Sequence, residues 1–333
     1  MKTPEEFRKY LDSDQNLGGV LKQVDQKRKA NMYVFAFMWI IGIAFVAGMY
    51  YYVFNTQSYG ESQPNTGEYN NIIVYFLIGA ALLSSVGYAL HKMVNTKSRR
   101  QPEGSGNDFT TDFKDKVIRN IISFCDPSFR YEMNNHVRLG AILASGMFRD
   151  RDYDIEDSDL VRGIYNGVSF QFSDVKLERT RLLTQKKEGE DTVFHGSMFV
   201  AEFNKKFKSP VFVYPRKSEA DYLQYEGEEV RLESPEFARL FRVYSPDQIE
   251  ARYILSTSLM ARIEKLTEIH GKQLHFVFAH NNIYIANNNF ADRFEASWFQ
   301  SVNKKEKLIS YYNELLEQLS IIDDLKLNQK IWG

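Results

Sequence analysis

The sequence predicts an α+β protein: an N-terminal two-helix transmembrane hairpin, then a cytoplasmic domain with an antiparallel sheet and packed helices. Three observations predict it. Two runs free of Asp, Glu, Lys, Arg and His, residues 31–54 and 71–90, stand near the front of the 333-residue chain. Further on, Asn166-Gly167 separates two apolar stretches at 161–165 and 168–172, the strongest short hairpin signal a sequence carries. Helical periodicity then gathers after the strands instead of alternating with them, which argues against a parallel α/β sheet.

The first 30 residues read as an amphipathic lead-in. Thr3-Pro4-Glu5-Glu6 is a capping-box arrangement with proline at the first helical position. Phe7, Tyr10 and Leu11 share one side, and Leu17, Val20, Leu21 and Val24 continue the stripe past an expected break at Gly18-Gly19. As helices, the runs at 31–54 and 71–90 would reach roughly 36 and 30 Å, against a hydrocarbon core of about 30 Å. Lys22, Lys27, Arg28 and Lys29 precede the first span; Lys92, Lys97, Arg99 and Arg100 follow the second. The loop at 55–70 holds Glu61 and Glu68 but no Lys or Arg, so the positive-inside rule places both termini in the cytoplasm. Localisation is accordingly the inner membrane, with two spans. The first apolar run starts too late and is too long for a signal-peptide core. Gly79, Ala80, Ser84 and Gly87 give the second span a side suited to close helix packing, within the hairpin or in a homo-oligomer.

Residues 91–108 read as a tether and 109–333 as the cytoplasmic domain, expected to fold without the N-terminal segment. Residues 109–125 form an amphipathic helix with Phe113, Val117, Ile118, Ile121 and Ile122 on one face. It either packs on the domain or lies on the lipid surface. Strand signals begin at Leu160 and continue at 192–203 and 211–214. Ser234-Pro235 opens a short turn, and Ser245-Pro246-Asp247-Gln248 reads as a capping box into a helix at 249–255. A helix at 258–270 should bury Leu259, Ile263, Leu266 and Ile269 before Gly271. Strands at 274–278 and 283–286 flank His280-Asn281-Asn282, and a long helix at 304–325 should bury Leu308, Tyr312, Leu315, Leu316, Leu319 and Ile322. Trp332, just beyond it, is expected to dock as a latch.

Candidate chemistry is sparse. From Phe109 onward 31 Lys and Arg face 34 Asp and Glu, too little basic excess for nucleic acid. Cys125 is the only cysteine, which excludes an intramolecular disulfide and a thiolate zinc cluster. The acidic run Asp150, Asp152, Asp154 imitates a calcium loop, yet Ile155 stands at its sixth position and Val161 at its twelfth, where Gly and Glu belong. A solvated acidic loop is expected instead. His270, His275 and His280 fall on a helix end, a strand and a turn, so they do not form a metal set. His195, on a strand with Thr192, Ser197 and Glu202 nearby, is more simply a packed histidine than a catalytic base. Asp247, Glu250 and Arg252 suit a helix start and a surface ion pair. Lys205-Lys206-Phe207-Lys208 is a solvated loop by default, with anionic lipid as the alternative contact. No P-loop, G-x-S-x-G or G-x-G-x-x-G occurs. No catalytic, cofactor-binding or metal residue is therefore nominated, and no cofactor is expected.

One resemblance is specific. Val161-Arg162-Gly163, Val193-Phe194-His195-Gly196, the stretch from Val243-Tyr244-Ser245 to Ile254-Leu255, and Ile283-Tyr284-Ile285-Ala286 together resemble the bacterial membrane family known as domain of unknown function 3137. The resemblance implies an N-terminal membrane hairpin, no established activity, and a LemA-like membrane protein as a partner. Two function classes remain. One is a membrane-tethered, non-enzymatic binding or scaffold domain. The other is a membrane-bound hydrolase acting on a lipid or envelope substrate.

Overall fold

The computed structural model describes residues 1–58, 79, 109–148, 153–156, 158–179, 192–218, 220, 222–271, 273–288, 293–297 and 300–329. The second apolar run (Gly79 apart), the tether and Ile331-Trp332 lie outside these residues. At the N-terminus the capping box forms in full. Thr3 Oγ1 accepts from Glu6 N at 3.2 Å, and the Glu6 carboxylate accepts from Thr3 N at 2.6 Å, opening α1 (Pro4–Ser13). The chain breaks at Asp14, not at Gly18-Gly19. Asp14 adopts an extended conformation, and its carboxylate then accepts from Asn16 N and Leu17 N at 2.8 and 3.1 Å. That caps α2 (Gln15–Ser58), a helix of 44 residues running unbroken from the lead-in into the first apolar run. Residues 15–48 of it contain an unburied window of mean hydropathy 2.0, long and apolar enough to cross a membrane. Among the described residues one such helix is found, so the two-helix hairpin is not shown.

The lead-in does more than lead in. Phe7, Leu17, Leu21 and Val24 are all buried in the main core. The Phe7 ring lies 4.5 Å from that of Tyr312 and 5.1 Å from that of Phe124, and the Tyr312 hydroxyl donates to Lys2 O at 2.8 Å. Asp25, also buried, accepts from Arg28 Nε, Ser301 Oγ and Val302 N at 2.9, 3.0 and 3.2 Å. Lys27 pairs with Asp112 and Lys305 with Asp12. The stripe on α1 and α2 thus supplies part of the core of the domain expected to begin at residue 109.

Residues 109–125 form one helix, α3, α-helical at both ends with a π turn at Phe113–Ile118. Its apolar face is fully buried, so it packs on the domain and not on a lipid surface. Among the described residues the sheet has ten strands, all antiparallel: β1 (Arg130–Met133), β2 (Tyr153–Glu156), β3 (Asp159–Tyr165), β4 (Val168–Arg179), β5 (Thr192–Glu202), β6 (Val211–Pro215), β7 (Glu228–Glu229), β8 (Phe241–Ser245), β9 (Leu274–Ala279) and β10 (Asn282–Asn287). Their order is β1-β3-β4-β5-β10-β9-β6-β8-β7, with β2 sharing an edge of the long β4. Period-2 alternation divides the side chains. Phe170, Phe199, Phe276 and Ile285 enter the larger core beneath the helices, while Phe194, Met198, Val277 and Tyr284 enter a second core on the opposite face. The first face carries α1, the start of α2, α3, α5 (Pro235–Leu240), α6 (Gln248–Ile254), α7 (Thr257–His270) and α8 (Lys305–Asp324). The second is covered over part of its area by α4 (Leu139–Ala144) and nearby loops.

Several expectations shift by a few residues for local reasons. Strands start at Arg130, thirty residues before the first strong signal, because β1 and β2 are four-residue strands mixing charged and apolar residues. Asp247, not Ser245, is the N-cap of α6 and accepts from Ile249 N and Glu250 N, both at 2.9 Å. The turn after β9 is the two-residue His280-Asn281, both at positive φ, with Ala279 opposite Asn282. Ile269 is 57% exposed, and Leu316 lies at the margin of the core.

Truncating Phe7 should cost about 3–5 kcal/mol, as for buried aromatics generally. Chemical unfolding of the full chain in detergent micelles measures it; a Phe7→Ala loss below about 1 kcal/mol would mean that α1 is not part of the core.

Candidate functional site

Two polar constellations stand out, on opposite faces of the β1–β3 side of the sheet. The first is buried beneath the end from which α2 leaves the domain. Lys114 on α3 meets Asp159 Oδ2 at 2.9 Å and Glu295 Oε1 at 2.6 Å, and the Tyr131 hydroxyl donates to Asp159 Oδ1 at 2.9 Å. Lys114, Asp159 and Tyr131 are each about 5% exposed or less. Burial alone would favour a neutral Lys114, but the carboxylates of Asp159 and Glu295 outweigh it and raise its pKa, so the ammonium is retained. Burial likewise pushes the Tyr131 phenol well above its usual range. Close by, Asp174 on β4 takes the Arg293 backbone amide and guanidinium. These pairs tie α3, the β1–β3 edge and residues 293–297 together. A largely buried, paired network of this kind orders elements.

The second constellation is open. Where α4 stops covering the second face, the outer ends of β3, β4, β5 and β10 line a groove of about 540 Å³. One row of directly opposed residues runs Arg130, Arg162, Gln171, Val200, set by the β1–β3, β3–β4 and β4–β5 registers. The next row contains Ile164, Ser169, Glu202 and Asn282. Gly163 is required beneath it, since a Cβ there would stand 2.5 Å from the Phe129 ring. The groove combines two arginines, neutral hydrogen-bonding groups and an Ile164 that is 64% exposed, the mixture expected of a ligand site of this size.

The residues singled out in the sequence do not assemble into a third site. Asp150, Asp152 and Asp157 lie outside the described residues, but the rest is no solvated loop: 153–156 is a strand and Asp159 is a buried ion pair. Among the described residues no group of three His, Cys, Asp or Glu side chains is placed to hold a metal ion. His270 Nδ1 pairs with Glu317 at 3.0 Å, while His280 occupies the turn after β9. His195 is half-buried on β5 opposite Lys176, seven residues from Glu202 on the same strand, and that span is about 23 Å. Cys125 is buried, and burial pushes its thiol up, as for a small hydrophobe. Lys205 Nζ donates to Tyr253 O and Ile254 O at 3.0 and 3.3 Å, and the Lys208 and Ser209 amides donate to Glu250 at 2.8 and 2.7 Å. That segment is pinned to α6 and not loose in solvent.

One pair escaped the sequence entirely. Ser218 Oγ lies 2.8 Å from His275 Nε2, joining residues 57 apart. His275 is 1% exposed, edge-on to Tyr214 and Tyr222, and burial pushes its imidazole down to about 4.

Comparison with known proteins bears on the C-terminal half. Residues 192–327 match the family model described as a protein of unknown function, DUF3137. The likeness to DUF3137 lies in this segment. The DUF3137 segment begins with β5 and ends beyond α8, so it supplies Val200, Glu202 and Asn282 to the groove, while Arg130 and Arg162 precede it. No curated protein matches the chain. Among solved structures, the crystal structure of the mycobacterial trehalose monomycolate transport factor A, TtfA, matches at 11% identity over 62% of this chain and 94% of that chain, with a TM-score of 0.33. At that score neither its fold nor the transport in its name carries over.

A histidine kept neutral by burial makes stability depend on pH. Its folded pKa of about 4 lies below the usual 6.5, so the stability is complete above pH 6.5 and lost as pH falls toward 4. The loss should approach about 3 kcal/mol. Unfolding curves across this range check it: His275→Gln should flatten the slope, and an unchanged slope would place the titration elsewhere.

Proposed function

We propose that the chain is a non-enzymatic binding domain held rigidly against the inner membrane, with the sheet groove as its ligand surface. The observation that carries this reading is the continuity of α2. Its first turns are built into the domain core through Leu17, Leu21, Val24 and Asp25, and the same helix continues into side chains as exposed as Phe37 (63%), Ile40 (63%) and Ile43 (56%). In water those groups would be an unfavourable apolar surface; in a bilayer they are at home. On this reading the apolar run at 71–90 is the second span, and the basic flanks support a cytoplasmic side for both termini. The groove lies at the other end. The Asn166-Gly167 turn beside it meets Asp323 at the C-terminal end of α8, whereas α2 docks near the N-terminal end of that helix. A 20-residue helix, about 30 Å long, separates that turn from the α2 contact.

The hydrolase alternative has one observation in its favour, the Ser218–His275 contact. It lacks access for a substrate, since His275 is 1% exposed. A fluorophosphonate probe that labelled Ser218 in the full-length protein would turn the argument toward an enzyme. For the topology, an alkaline phosphatase fusion after Gly333 should be inactive and one inserted near Gly60 active. Phosphatase activity from the C-terminal fusion would reverse the orientation.

A further inference from the structure

Resting on the reading of the domain as a binding module, we propose that the groove takes a small soluble ligand bearing a phosphate monoester, gripped by Arg130 and Arg162. The two arginines are direct cross-strand partners in the β1–β3 register. Side chains so placed have Cβ atoms about 5 Å apart, and like charges directly opposite destabilise a sheet. This pair is only half compensated. Glu132 bridges to Arg162, whereas Arg130 has no carboxylate partner among the described residues. Arg162 Nε is moreover buried and makes no hydrogen bond there. An unsatisfied buried donor costs free energy that a bound acceptor would recover.

A phosphate monoester suits these groups better than a monocarboxylate. It carries close to two negative charges and three acceptor oxygens, enough for two guanidinium forks at once. The remainder of the groove describes the rest of the ligand. Gln171, Ser169 and Asn282 offer neutral hydrogen bonds, Ile164 and Val200 offer apolar contact, and Glu202 stands two strands across and two residues along from Arg162, about 12 Å away. A phosphorylated polyol with hydroxyl groups reaching toward Glu202 has that length and polarity. A lipid headgroup does not fit, because the groove is on the face opposite α2 and at the far end of α8.

The test uses the full chain in detergent micelles, with glycerol 3-phosphate as probe and glycerol and acetate as controls. Titration calorimetry should show binding of glycerol 3-phosphate alone, weakened at least tenfold by Arg130→Gln. Thermal unfolding without ligand adds a readout that a structural role would not give. Removing one of two opposed positive charges should leave the midpoint of Arg130→Gln unchanged or raised, and should abolish the upward shift that glycerol 3-phosphate gives the parent chain. Equal affinity in parent and Arg130→Gln, or a lowered midpoint without ligand, overturns the proposal. So does a failure of glycerol 3-phosphate to bind, and that result would leave the membrane-held binding module standing. Binding of vesicles containing phosphatidic acid at the groove, lost in Arg130→Gln without any glycerol 3-phosphate binding, would name a lipid and also overturn it.

Discussion

Everything else in this molecule depends on the burial of Asp25. A carboxylate taken out of water costs several kcal/mol unless it is paired and hydrogen-bonded. On α2 it finds Arg28 one turn along and, from a segment 276 residues away in sequence, the hydroxyl of Ser301 and the amide of Val302. Around this contact Phe7, Leu17, Leu21 and Val24 complete the apolar seam against α3 and α8. The helix that carries the apolar run is thereby part of the domain and not a leash attached to it.

That arrangement gives the two polar constellations separate tasks. The Lys114–Asp159–Glu295–Tyr131 network lies at the end where α2 departs, buried and satisfied, and fixes α3 against the sheet edge. The groove on the opposite face is open and left with the positive charge of Arg130 unanswered by any carboxylate among the described residues. One holds the orientation of the domain; the other faces outward because of it. The Ser218–His275 pair belongs with the first kind, since His275 is buried against Tyr214 and Tyr222 and holds a half-buried Ser218.

Much of the fold was legible because it rests on local rules. The capping box at Thr3, the Asn166-Gly167 hairpin, the Ser234 cap and the stripe of α8 are short-range patterns, and each forms as its residues require. Strands β1, β2, β7 and β8 were not legible. They are two to five residues long and gain their pairing only from neighbours distant in sequence. The same reason hid the burial of Asp159 inside an acidic run: a charge looks solvated until Lys114, 45 residues earlier, is brought against it. The groove was least legible of all. Arg162 appeared in the sequence only within the Val161-Arg162-Gly163 resemblance, and nothing local placed Arg130 opposite it.

The central claim, that α2 and the domain move as one body, is open to a distance measurement. Lys22 on α2 and Glu306 at the start of α8 are both exposed and lie on either side of the Asp25 contact. Spin labels at Lys22→Cys and Glu306→Cys, in a Cys125→Ala background and the full chain in micelles, report the distance between them by double electron–electron resonance. One narrow distribution is expected, broadening when Asp25→Ala and Phe7→Ala are combined. A broad distribution in the parent chain would show a domain swinging freely on its membrane helix, and would contradict the account.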